Sequence, residues 1–119
     1  MPLIFVYGTL KRGGSNHRQL DGQEFVGTAQ TIAGYRLFDL GDYPGMVAAS
    51  GDRPGVTGEV WSVDSNSLRR LDAFEGVDQG LYQRVPVALQ PPFGGRGVET
   101  YLYLQSVSGR TELGSSWPV

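Results

Sequence analysis

The chain has 119 residues, 39% of them hydrophobic and 18% charged, which suits one globular domain over 1–119 with a single core and argues against disorder. The formal net charge is -2, so there is no basic footprint to draw in nucleic acid. Cysteine is absent and His17 is the sole histidine, which removes disulfides, thiolate metal sites, a cysteine nucleophile and a histidine-rich metal centre together.

The first element is the apolar run Leu3-Ile4-Phe5-Val6-Tyr7, which reads as a buried strand. It is too short for a signal-peptide core and follows no basic segment. No apolar stretch approaches the roughly 20 residues a membrane span needs. A cytoplasmic protein is the expectation. Gly8-Thr9-Leu10 ends the strand, a loop follows through Asn16, and residues 16–20 suggest one helical turn. Extended stretches are expected at 24–32, 35–40 and 46–49, with a turn at 51–55. Over 56–63, Val56, Gly58 and Val60 alternate with Thr57, Glu59 and Trp61, which predicts a strand with one face in the core. Asp64 or Ser65 caps a helix running to about Glu75, and Gly76 closes it. Two more strands are expected at 83–90 and 98–104, joined by a loop at 91–97. The tail 111–119 reads as coil laid over the body and pinned by Trp117. About six short strands with one main helix predict a small α+β domain with a curled or barrel-like sheet and the helix packed at one end.

Two places carry chemistry. With Leu68 at zero and about 100° per residue, Leu71 falls at about -60° and Glu75 at about -20°. Glu75 thus lies inside the apolar stripe, at the negative end of the helix dipole. Burial and dipole both disfavour its charged form, so its pKa should rise into the range where an acid can take up and return a proton near neutrality. Two other readings stay open: a frayed last turn that puts Glu75 in solvent, or an ion pair with Arg84. Asp72 lies at the stripe's edge, and the angular separation of Asp72 and Glu75 points one outward, against a glycosidase-type pair. The second place is Tyr7-Gly8-Thr9-Leu10. A strand ending in Gly-Thr can aim several backbone N–H groups at a carboxylate or oxyanion. It can also be a plain strand end, and it is no phosphate loop, since no Gly-Lys-Ser/Thr follows. His17 is read as ordering the adjacent loop.

Taken together, Tyr7-Gly8-Thr9-Leu10-Lys11-Arg12-Gly13, Asn16-His17-Arg18, Gly58-Glu59-Val60, Leu71-Asp72-Ala73-Phe74-Glu75 and Leu81-Tyr82-Gln83-Arg84 resemble the gamma-glutamylcyclotransferase-like superfamily, nearest its gamma-glutamylamine cyclotransferase branch. The matches run in order from residue 3 to about 104. The resemblance implies a small mixed barrel, and a γ-glutamyl group held by backbone groups of Tyr7, Gly8, Thr9 and Leu10. It implies Glu75 as proton acceptor, 5-oxoproline and a free amine as products, and Tyr82 and Arg84 at positions lining the pocket. The substrate's α-carboxylate needs partners, for which the 7–10 segment is the candidate and Tyr82 a candidate side-chain donor. The substrate's own α-amine is the nucleophile, and holding it in a near-attack geometry can supply about 7 kcal/mol or more in ideal cases. Neither enzyme nucleophile, metal nor cofactor is then required. Departures from the family pattern lie at 91–97 and in the tail, which flank the leaving group. Alternatives are the same fold acting on γ-glutamyl dipeptides, glutathione or another γ-glutamylated metabolite, or a non-enzymatic module binding a small carboxylate or a protein. The oligomeric state stays open.

Overall fold

The structure is a computed structural model that describes residues 1–51 and 54–118. Asp52 and Arg53 of the turn expected at 51–55, and Val119 at the end of the tail, lie outside the described residues. β1 (Leu3–Val6) sits in the middle of a five-stranded sheet ordered β2-β5-β1-β7-β6. It pairs antiparallel with β5 (Thr57–Ser62), Leu3 opposite Ser62 and Val6 opposite Glu59, and parallel with β7 (Val98–Tyr103). A central strand covered on both faces needs apolar residues at every position, and β1 has them. Phe5 packs into one core cluster with Val60, Val87 and Val98, while Ile4 and Val6 pack into another with Trp61, Val63 and Leu71.

β5 departs from its predicted half-buried pattern. Gly58, Glu59, Val60 and Trp61 are all buried. On the face expected to meet solvent, Trp61 sits in one core cluster with Leu71 of helix α1 (Ser65–Phe74) and Leu20 of the 3₁₀ turn His17–Leu20, which falls in the segment predicted to make one helical turn, and Glu59 is covered by Arg12. β2 (Glu24–Gln30) forms one edge of the sheet, with a bulge between Phe25 and Gly27, and β6 (Tyr82–Pro86) forms the other. β3 (Tyr35–Asp39) and β4 (Pro44–Ala48) make a separate antiparallel ribbon whose β4 lies against β7. The strands therefore number seven, and among the described residues they do not close into the expected barrel. Pro86 has no N–H with which to extend the β6 ladder. The two sheet edges meet beyond it, where Thr31 bridges Leu89 and the Ile32 N–H donates to the Ala88 carbonyl at 3.0 Å.

Helix α1 (Ser65–Phe74) begins at Asp64, whose carboxylate accepts from the Ser67 N–H at 2.7 Å. It ends with Glu75 as C-cap and Gly76 at φ 68°, the left-handed position that glycine enters without strain. Leu71 is fully buried beneath it. The tail crosses the body as coil. Leu113 N–H donates to Leu37 O at 2.7 Å, Thr57 N–H to Ser115 O at 2.7 Å, and Lys11 Nζ to Trp117 O at 2.6 Å. Trp117 is half-buried against the core.

Candidate active site

The end of β1, the end of α1 and the starts of β4 and β6 surround a cavity of about 220 Å³. This is smaller than the ~300–1,000 Å³ typical of sites for drug-sized ligands, and suits a small metabolite. Tyr7, Gly8, Thr9, Leu10, Glu75 and Tyr82 all line it. These residues are separated by up to 75 positions in sequence, and the parallel β1–β7 pairing with α1 laid across the sheet brings them together.

Glu75 enters from the helix end, its N–H bonded to Leu71 O at 2.8 Å. The side chain is half-buried. Burial pushes its carboxyl up from the ordinary 4.5 to about 7, and neither a cation nor a hydrogen bond opposes the shift. The ion pair with Arg84 that the sequence left open is not formed. Arg84 instead places Nε 2.9 Å from Asp72 Oδ1 and one terminal nitrogen 2.7 Å from Glu99 Oε1. Arg84 is also absent from the cavity lining, which corrects its placement beside the pocket. It stands two residues, about 6.6 Å, along β6 from Tyr82, and the two carboxylates hold it there.

Gly8 is where the Pro44 ring packs onto the backbone at the end of β1. A Cβ at this position would stand 2.6 Å from Pro44 Cγ and 2.8 Å from Cδ. Glycine thus lets β4 close over the end of β1 and complete the cavity wall. The loop after β1 is folded on itself by Lys11 N–H to Gly8 O at 3.2 Å and Asn16 N–H to Thr9 O at 3.0 Å. Asn16 also donates to Thr9 Oγ1, and His17 donates through Nδ1 to Leu10 O at 2.9 Å, with its ring edge-on to Trp61. The N–H groups of Gly8, Thr9 and Leu10 have no acceptor among the described residues. Three consecutive free donors beside an apolar cavity form a ready site for an anionic oxygen.

The cavity's tyrosine hydroxyls are committed elsewhere. Tyr7 donates to Tyr101 O at 2.7 Å and accepts from Met46 N–H at 3.2 Å. Tyr101 donates to Asp72 Oδ1 at 2.7 Å. Tyr82 donates to Pro44 O at 2.9 Å. The expectation of Tyr82 as a side-chain donor to substrate is therefore corrected: its one hydrogen is already given to the backbone. Burial pushes all three phenols far above their ordinary range, so they stay neutral.

The sequence did not mark Tyr101, Tyr43 or Pro44 as cavity residues. Nothing local singles out Tyr101, which reaches the cavity because β7 lies beside β1. Glu59 was quoted only as part of a motif, yet its buried carboxylate takes the Arg12 N–H at 3.0 Å, Arg12 Nε at 3.1 Å and Trp61 Nε1 at 3.1 Å. Arg12 also stacks over Phe25 at 3.7 Å. The loop that carries the free N–H groups is thus anchored to β5. Among the described residues, no group of three or more His, Cys, Asp or Glu side chains could hold a metal. No helix there is long and apolar enough to cross a membrane.

Residues 4–118 match the family model described as Gamma-glutamyl cyclotransferase, AIG2-like. The chain is 42% identical over 97 residues to the human gamma-glutamylaminecyclotransferase, covering 76% of this chain and 63% of that protein. It therefore spans somewhat under two thirds of that relative's length. Among solved structures, it is similar to an aig2-like protein from mouse, with a TM-score of 0.72 and 34% identity over 89% of this chain and 78% of that one. It is similar also to the protein ytfP from Escherichia coli, with a TM-score of 0.70 and 34% identity over 97% of this chain and 94% of that one.

Proposed function

We propose, for a chain that belongs to the Gamma-glutamyl cyclotransferase, AIG2-like family, release of 5-oxoproline and a free amine from a γ-glutamyl amine. The carrying observation is one cavity lined by a half-buried carboxyl poised near neutrality and by three consecutive N–H donors without acceptors among the described residues.

In this reading the Glu75 carboxylate takes a proton from the substrate's α-ammonium. The α-nitrogen attacks the γ-carbonyl carbon, closing a five-membered lactam. The N–H groups of Gly8, Thr9 and Leu10 receive the oxyanion and the α-carboxylate. Glu75 returns the proton to the amide nitrogen, and the carbon–nitrogen bond breaks. The α-nitrogen begins with three hydrogens and keeps one in the lactam. The two it gives up leave on the amine as R–NH₃⁺. No other group need change its bonding, so the cavity's work is positioning and one proton carrier.

The same reading treats residues 1–119 as one domain acting on a small molecule, in a cytoplasmic setting and without a nucleic-acid partner. The family names of the relatives and the net charge of -2 support it. The test is direct. Purified protein is incubated with a γ-glutamyl alkylamine, and 5-oxoproline and amine are measured together. Equimolar release of both is the expected result. Tight binding of a γ-glutamyl compound by calorimetry without turnover of any such compound would instead identify a binding module.

A further inference from the structure

Glu75 and the N–H groups of Gly8, Thr9 and Leu10 account for the glutamyl half of a substrate. The leaving half must occupy the cavity mouth, whose chemistry is separate. The floor is made of Phe5, Tyr7, Tyr82 and Tyr101, none more than 6% exposed. The rim is made of Tyr43, 39% exposed, Phe74, 42% exposed, and half-buried Leu81. They come from the turn before β4, the end of α1 and the residue before β6, so three separate elements bring apolar groups to one opening.

Tyr43 and Phe74 are the only aromatic side chains among the large hydrophobics left exposed in the described residues, and both stand on this rim. Every other ring is at least half-buried. Aromatic surface kept in water costs free energy unless something covers it. Phe74 also directly precedes Glu75 in the chain, and both line the cavity. A nitrogen that takes its proton from Glu75 therefore carries its substituent past Phe74. Among the described residues the lining contains no Lys, Arg or His, and Glu75 is its one carboxylate. A leaving group bearing a carboxylate near its nitrogen would lose hydration there, gain no cation, and face Glu75.

We infer that the leaving amine carries on its nitrogen an uncharged, apolar alkyl or aryl body, seated between Tyr43, Phe74 and Leu81. This rests on the cyclotransferase reading above and names the substrate class within it. The bonds made and broken are those already given; only the group on the departing nitrogen is specified.

The experiment compares γ-glutamylbenzylamine with γ-glutamylglycine and ε-(γ-glutamyl)lysine, reading kcat/KM from 5-oxoproline release by wild type, Phe74→Ser and Tyr43→Ser. Wild type should favour the benzylamine over the glycine compound by about tenfold or more, the scale on which an apolar pocket discriminates. Phe74→Ser and Tyr43→Ser should each lower that ratio several-fold. Both side chains are exposed, so neither variant should lose its fold, and melting temperatures check this. Equal or greater kcat/KM for the glycine or lysine compound overturns the inference, as does a preference that survives both substitutions. Those outcomes leave the cyclotransferase reading intact. Failure of all three compounds to yield 5-oxoproline removes that reading, and this inference with it.

Discussion

Glu75→Gln keeps the shape of the side chain and removes its titration. In the folded chain burial raises the carboxyl from 4.5 to about 7. That rise corresponds to an upper bound of about 3.5 kcal/mol, at about 1.4 kcal/mol for each tenfold change in proton affinity. The side chain is half-buried, so solvent reduces this, and about 1–3 kcal/mol is the working range. A carboxyl whose folded pKa lies above its unfolded one binds more protons folded than unfolded between those two values. The stability of the wild type therefore falls as pH rises through that window, and the penalty is complete above about 7. Gln has no proton to lose. The variant should match wild type near pH 4 and exceed it by about 1–3 kcal/mol near pH 8, measured by urea unfolding across the range. Turnover should meanwhile drop by about 10²–10⁴-fold, the usual worth of a positioned acid–base group. Wild-type kcat/KM should rise with pH through about 7, since the carboxylate is the active form. A stability difference that stays flat with pH would refute the reasoning, because it would mean that Glu75 is solvated and has no raised pKa to use.

Gly8→Ala places a methyl 2.6 Å from Pro44 Cγ. β4 or the 8–10 turn must then move, and a KM at least about tenfold higher is expected from the displaced donors, read by steady-state kinetics. Glu59→Gln loses the charge that holds Arg12 and its N–H. It should cost about 1–3 kcal/mol of stability by thermal melting and raise KM through the loosened loop; a melt and a KM both equal to wild type would show that this anchor is unimportant. Arg84→Gln removes half-exposed pairs to Asp72 and Glu99, for a loss of about 1 kcal/mol or less. Its KM should stay within about threefold of wild type, as for a substitution away from the site, whereas a tenfold rise would put Arg84 in contact with substrate.

The sequence was legible wherever a local rule decided the outcome. Asp64 caps the helix and Gly76 ends it because capping chemistry is local. The helical period put Glu75 on the apolar stripe, and its side chain does enter the cavity between α1 and β1. Legibility failed where a residue's role depends on a distant partner. Alternation in β5 predicted one wet face, yet on that face Trp61 packs in one cluster with Leu20 and Leu71, and Glu59 is covered by Arg12. Proximity in sequence suggested Arg84 for Glu75, but Asp72 and Glu99 reach its guanidinium instead. The barrel was inferred from strand count, whereas closure depends on edge pairing, and that pairing is limited here to the region around Thr31 and Leu89.

The hydrogen bonds around the cavity narrow the mechanism more than the motif does. The Tyr7, Tyr82 and Tyr101 hydroxyls look like candidate acids, but each has its hydrogen fixed on an acceptor and its ionisation suppressed by burial. Thr9 Oγ1 is held by Asn16. Among the described residues, Glu75 is left as the one lining group that can change protonation state near pH 7. Any proton moved inside this cavity passes through Glu75 or comes from water. The same suppression lets the phenols form an apolar, fixed floor that keeps water from competing with the substrate's own amine. Tyr82→Phe should then retain most of the turnover, losing at most about tenfold through slackened contact with Pro44, while Glu75→Gln loses nearly all of it. Equal losses in the two variants would mean that the Tyr82 hydroxyl leaves Pro44 and takes part in proton transfer.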